Sequence, residues 1–418
     1  MTTIRKTLTI LIVLCVPAAL CFAEEIIAIR GGTILTVTNG TIENGTVLIR
    51  DGKITAIGAD IAIPAGAEII DVTGKFVMPG IIDSHSHIAL SGDINEATSP
   101  TTAQIRMVDV IEPDSYSIYL ALAGGVTAAK LMHGSANVIG GLNATVKLKY
   151  RGKVEDMLIP GVRQQLKMAL GENPKRVYGD RGRLPSTRMG IFALLRQKLL
   201  DAQHYKAGWE AYRKKLEEGK EAAQPKRDLE LDMLVDLLDH KITIDCHCYV
   251  HQEIVALLKI ADEFDLPLLC LSHAFGAYKV RDEIAKRGVS VLTHTDWWGY
   301  KWEAFDAIPY APGMLLREGI NVTICSDSGD VMRRLFREAA KVVRYCGISD
   351  DQALALITIN AAKALEIDDR CGSLEVGKDG DVAIFDRHPL DGLTKCVMTL
   401  IEGKVMFDIN APKTALDR

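Results

Sequence analysis

Between residues 77 and 325 eight short apolar runs alternate with helical stretches, and this alternation narrows the fold more than any other feature of the chain. The candidate strands are 77–84, 126–132, 144–149, 166–170, 242–246, 268–272, 289–293 and 321–325, with helical patterns such as 253–264, 280–286 and 335–345 between or after them. Repeated strand–helix units predict an α/β chain closed into a (β/α)8 TIM-like barrel. A doubly wound open sheet is the alternative.

The two ends have a different texture. Runs 26–29, 33–37, 46–50, 53–57 and 68–72 are short, rich in β-formers and separated by Gly-Gly, Asn-Gly and Asp-Gly turns. The same pattern returns at 381–385, 396–401 and 404–407. Two β-rich ends around a barrel predict a small β-sandwich assembled from both, residues 24–75 and 376–418, with the barrel at 76–375. Residues 187–241 are long, charged and helical, with Tyr205, Trp209 and Tyr212 at helical spacing, and read as a helical insertion packed on those rings. Ser349-Asp350-Asp351-Gln352 is a capping box.

Residues 1–23 read as a signal peptide. Arg5 and Lys6 precede a short apolar stretch, and Cys21 and Ala23 are small residues at the cleavage positions. The expectation is a secreted or periplasmic protein without stable membrane insertion once the leader is removed. A formal net charge of −5 argues against nucleic acid and leaves a small-molecule substrate as the expected partner, with a homo-oligomer open. Beyond the leader Cys246, Cys248, Cys270, Cys325, Cys346, Cys371 and Cys396 remain, an odd set in the C-terminal half and a poor disulfide framework.

The chemistry is written at the strand ends, where a barrel gathers its reactive groups. His85 and His87 follow the first strand. If the strand runs to that point, residues two apart share a face, and paired imidazoles suit a borderline cation such as zinc. His247 follows the fifth strand, His273 the sixth and Asp327 the eighth. Four histidines and a carboxylate at one rim predict a divalent-metal site.

The same residues resemble the amidohydrolase superfamily. Val77-Met78-Pro79-Gly80 with His85-Ser86-His87 is similar to its opening metal motif, and Ser326-Asp327-Ser328 and the closing stretch 372–381 match as well. The resemblance spans residues 26–407 and is closest to an exported, imidazolonepropionase-like branch, through stretches 134–141, 166–176 and 296–299. It implies a hydrolase of C–N bonds. His85, His87 and Asp327 would hold a first metal and His247 and His273 a second, with a lysine carboxylated by CO2 bridging them. Lys167, in the apolar fourth strand, is favoured for that carbamate and Lys147, on the third, is the alternate. Paired cations would acidify a water to hydroxide, and Asp327 would act as general base, then general acid. The metal is expected to be Zn2+, one or two per chain.

His133, Tyr249, His251 and His294 lie near strand ends, with Tyr249 and His251 read as substrate contacts. Lys175, Arg176, Arg181, Arg183 and Arg188 crowd one loop, and guanidinium groups there, Arg181 and Arg183 above all, would fork onto a substrate carboxylate. That reading favours a dipeptidase or N-acyl-amino-acid hydrolase. The alternatives are a mononuclear deaminase or cyclic-amide ring-opening hydrolase, with His273 contacting substrate, and a non-catalytic periplasmic binding protein.

Overall fold

The computed structural model describes residues 25–411. The leader read at residues 1–23 lies outside them. Among the described residues no helix is long and apolar enough to cross a membrane, and the seven cysteines from Cys246 to Cys396 are free.

The N-terminal strands are β1 (Ile26–Leu35), β2 (Thr41–Arg50), β3 (Lys53–Gly58), β4 (Glu68–Asp71) and β5 (Phe76–Pro79). The central strands are β6 (Ile81–Ser86), β7 (Val126–Leu131), β8 (Ile139–Leu142), β9 (Ala144–Lys147), β10 (Gln165–Ala169), β11 (Thr243–Cys248), β12 (Leu268–His273), β13 (Ser290–Thr293) and β14 (Val322–Ile324). The C-terminal strands are β15 (Val382–Phe385), β16 (Cys396–Ile401) and β17 (Lys404–Asp408).

Both chain ends enter one eight-stranded sheet, ordered β17-β16-β15-β5-β1-β2-β3 with β4 beside β1. The strands expected to form a small sandwich are thus hydrogen-bonded into one continuous sheet. β1 explains the difference. It is long enough to pair with β2 along one edge and with β4 and then β5 along the other, so no break separates the two groups of strands. The β3 edge is tied back to the C-terminal part by Ile54 N–H to Lys378 O (2.9 Å) and Gly377 N–H to Ile54 O (2.8 Å). Ile29, Ile34, Ile49, Ile54, Val77, Val382 and Ile384 fill its core.

The run expected as one first strand is two. Gly80 divides it, β5 staying in the terminal sheet while β6 enters the central one. A Cβ at Gly80 would lie 2.1 Å from Thr127 Oγ1, so only glycine lets the chain pass this close to β7.

The central strands form two sheets, β14-β13-β12-β11-β10-β8 and β6-β7-β9. β10 to β14 run parallel, as do β6 and β7. The expected third parallel strand, 144–149, is the exception. β8 pairs antiparallel with β10 and β9 antiparallel with β7, so residues 139–147 cross from one sheet to the other while running backwards. A parallel crossover needs about a dozen residues, and only residues 132–138 separate β7 from β8. The chain has no room to return to the starting end.

Residues 187–241 hold two helices, Arg188–Glu217 and Leu229–Leu238. Thr187 caps the first by accepting from Gly190 N–H (3.0 Å). Ile191, Leu195, Leu199 and Ala202 recur on its buried face, against Leu234 and Leu237 of the second helix.

Candidate metal centre

Period-two alternation builds the site. Along β6 Asp83 and His85 share a face, continued by His87. Along β11 Asp245 and His247 do so, and along β10 Gln165 and Lys167. His85, Lys167, Asp245 and His247 are all buried. On the opposite faces Ile82, Ile244 and Leu166 are buried in hydrophobic clusters, while Ser84 Oγ meets Thr323 Oγ1 at 2.7 Å.

His273 (φ 66°) and Asp327 (φ 48°) both adopt the left-handed backbone region, in which non-glycine residues are uncommon. At β12 and after β14 the chain therefore turns sharply just where these side chains are presented. Such strain concentrates at functional sites.

His85, His87 and Asp327 converge with their ligand atoms within 4.8 Å of one another, as do His273, His294 and Asp327. The hydrogen-bond network fixes several tautomers. Ser272 Oγ–H donates to Asp245 Oδ1 (2.5 Å), so Ser272 Oγ in turn accepts from His85 Nδ1–H (2.9 Å). His87 Nδ1–H donates to the Met132 carbonyl (2.8 Å). His294 Nδ1–H donates to the Cys325 carbonyl (3.0 Å), which leaves His294 Nε2 to accept from His273 Nδ1–H (2.9 Å). The Nε2 lone pairs of His85, His87 and His273 are left over. Those of His85 and His87 face Asp327 Oδ1 at 3.5 and 3.2 Å.

Lone pairs aimed at a carboxylate oxygen repel unless a cation lies among them, so this donor set fits a divalent metal ion. Burial, followed by the positive charge of Lys167, pushes the His85 imidazole down to about 3. Burial likewise holds His294 at about 4 and His247 and His273 well below the usual imidazole range. Neutral imidazole is the ligating form.

His247 stands against His273, ring centroids 4.5 Å apart. Its Nδ1 meets Ser135 Oγ at 3.0 Å and its Nε2 lies 3.4 Å from Asn173 Nδ2. Lys167 is fully buried and its Nζ has no hydrogen-bond partner. Burial drives its pKa below the ordinary lysine value.

Lys147 is elsewhere, which corrects its reading as the alternate carbamate residue. Because β9 runs backwards, Lys147 pairs with Ala128 near the start of β7 and not near its end. There it meets Asp379 (2.5 Å), Asp381 (3.1 Å) and Glu402 (3.0 Å). These partners, Asp381 first, raise its pKa despite burial, so the ammonium is retained. The neighbouring Cys371, Asp379 and Asp381 group is accordingly filled by a lysine.

Of the expected substrate contacts, Tyr249 is at the site, its ring 4.5 Å from His247 and 5.2 Å from His273. His251 opens the helix His251–Phe264 and takes no part in the histidine ring contacts; its Nδ1 is buried without a hydrogen-bond partner. Arg181 and Arg183 donate to the carbonyls of Ala97 (2.7 Å) and Thr98 (2.6 Å), which anchors a loop. His133 is used internally, accepting from Glu96 N–H at 3.0 Å.

Sequence reasoning passed over Lys301, Asn173, Lys130 and Asp245. Lys301 Nζ lies 4.3 Å over the Tyr249 ring, 3.2 Å from Asn173 Oδ1 and 3.5 Å from Glu172 Oε1. Lys130 is a charged residue inside the apolar run 126–132, the same signal that singled out Lys167. Lys301 had no such signal, because it arrives from a long loop.

The Amidohydrolase family model matches residues 307–410. A crystal structure of an amidohydrolase from Thermotoga maritima superposes with a TM-score of 0.85 at 34% identity, covering 91% of this chain and 100% of that one. Amidohydrolase tasK of Hapsidospora irregularis is 30% identical over 392 residues, 87% of this chain, which spans 40% of the length of that relative. An imidazolonepropionase of Mesorhizobium japonicum is 24% identical over 399 residues, 83% of this chain and 87% of its own. Fold and site define a TIM-barrel-like α/β protein with an added β domain and a cluster of metal-type ligands. The chain belongs to the amidohydrolase family.

Proposed function

We propose that this chain is a binuclear, metal-dependent hydrolase of a C–N bond in a small anionic substrate, an N-acyl amino acid or dipeptide. Its two central sheets are read as one (β/α)8-type barrel whose third strand is reversed. The observation that carries the metal is the convergence of the His85 and His87 Nε2 lone pairs on Asp327 Oδ1. His85, His87 and Asp327 would hold one Zn2+, His247 and His273 a second, and Lys167, as its CO2-derived carbamate, would join them. When bound, such cations supply Lewis-acid polarisation of a carbonyl and lower the pKa of water.

The chain's own residues account for the proton and the substrate. Asp327 as carboxylate accepts a proton from the attacking water and returns it to the leaving nitrogen. Ser272 and the Met132 carbonyl hold the imidazoles of His85 and His87 in the tautomer that leaves Nε2 free. Since Arg181 and Arg183 are committed to main-chain carbonyls, Lys301 is the cation offered to a substrate carboxylate, above Tyr249 and beside Asn173. The names of the relatives, imidazolonepropionase and dihydroorotase among them, support amide-type substrates without selecting one.

The test combines metal analysis with a hydrolysis screen of N-acyl amino acids and dipeptides against their carboxamide counterparts. The reading expects two metals per chain, turnover, and a preference for the free carboxylate that Lys301→Met removes. No bound divalent ion after reconstitution with Zn2+ and bicarbonate would sink it. One metal per chain and indifference to Lys167→Ala would favour a mononuclear deaminase or ring-opening hydrolase.

A further inference from the structure

Behind the ligands lies a second buried lysine. Lys130 on β7 and Lys167 on β10 are both fully buried, yet their surroundings differ. Lys130 Nζ forms an ion pair with Asp245 Oδ2 and donates to Gln165 Oε1 (2.8 Å), whose Nε2–H donates in turn to the Ala364 carbonyl (3.0 Å). Lys167 Nζ has no hydrogen-bond partner, although the charge of Asp245 reaches it. Asp245, however, is the residue opposite Lys167 in the parallel β10–β11 ladder. Of the two lysines, Lys167 has the carboxylate as its direct cross-strand neighbour, and Lys130 holds it.

We infer that Lys130 is a positioning residue that keeps Asp245 away from Lys167, so that Lys167 stays unpaired and available for carboxylation. The inference rests on the binuclear reading above. Carboxylation joins the Lys167 nitrogen lone pair to the carbon of CO2 and releases one proton to solvent, giving an N-carboxylate. An ammonium locked in an ion pair has no lone pair to give. The two oxygens of Asp245 are divided: Oδ2 holds Lys130, and Oδ1 accepts from Ser272, which orients His85. One carboxylate thereby fixes a ligand of the first metal and, through Lys130, is withheld from the residue that would join both. Removing the Lys130 charge frees Oδ2, and a carboxylate in a dry interior captures the nearest cation available.

The experiment measures bound metal per chain and the carbamate carbon by 13C NMR after loading with Zn2+ and 13C-bicarbonate, with thermal melting as a check on folding. Wild type is expected to carry two metals and the carbamate signal. Lys130→Met is expected to lose the signal by about tenfold, a coupling of the size found between buried neighbours, and to fall toward one metal. Lys130→Arg keeps the ion pair and retains both readouts. The double variant Lys130→Met/Asp245→Asn recovers them, because the amide oxygen still accepts from Ser272 while no carboxylate competes for Lys167. A purely structural role for Lys130 predicts no such recovery. If Lys130→Met does not fold, Asp245→Asn alone decides, and it is expected to keep both signals. A full carbamate signal in Lys130→Met, or its loss in a folded Asp245→Asn, overturns the inference and leaves the binuclear reading standing. A wild-type chain without the signal overturns that reading, and this inference with it.

Discussion

Lys167 is fully buried and Asp327 only partly so, and single substitutions separate the work they do. Asp327 is both a convergence point for lone pairs and the proposed proton carrier. Asp327→Asn keeps an oxygen donor but loses the base, so kcat should fall by about 10^3-fold while bound metal largely persists. Steady-state kinetics beside metal analysis would check this, and unchanged kcat would remove Asp327 from proton transfer. Lys167→Ala removes the amine but no imidazole. It should lower metal per chain from two toward one, and a short carboxylic acid added to the buffer should restore part of the loss. At this scale the sequence was informative where an ionisable residue interrupts an apolar run, as Lys167 does. It was silent about tautomers, which depend on Ser272, Met132 and Cys325 reaching across from other strands.

Whole elements set where those residues point. The reversal of residues 139–147 decides which lysine faces the histidines, and the shortness of 132–138 forces that reversal. Gly80→Ala should lower the melting temperature, since its Cβ has no space beside Thr127, and scanning calorimetry would show no change if the two strands could part. The helix His251–Phe264 brings Glu253 against Glu303, both sharing Arg188. Burial, then repulsion from Glu303, pushes the Glu253 carboxyl up to about 7. A raised acid binds its proton more tightly in the folded state, so stability falls as pH rises from about 4.5, its ordinary value, to about 7. Glu253→Gln should therefore raise the melting temperature more at pH 8 than at pH 5. An equal gain at both pH values would mean the carboxyl is not raised.

Across the whole molecule, Lys147 joins the central strand β9 to the C-terminal stretch through Asp379, Asp381 and Glu402, with Lys53 and Arg370 adding to Asp379. Lys147→Met would leave the buried Asp381 carboxylate without its cation and should cost about 3–5 kcal/mol by denaturant unfolding. Metal per folded chain should be unchanged, whereas a Lys147 that bridged metals would lose it. The alternation of apolar runs and the His, Lys and Asp residues at their ends were legible in the amino-acid order, because local periodicity and residue chemistry are properties of neighbours in the chain. Which lysine lies beside the imidazoles, which cation can reach a substrate, and which carboxylate each buried amine meets were decided only by the tertiary structure. Those are distances between residues dozens to hundreds of positions apart, and they follow from strand direction and loop path.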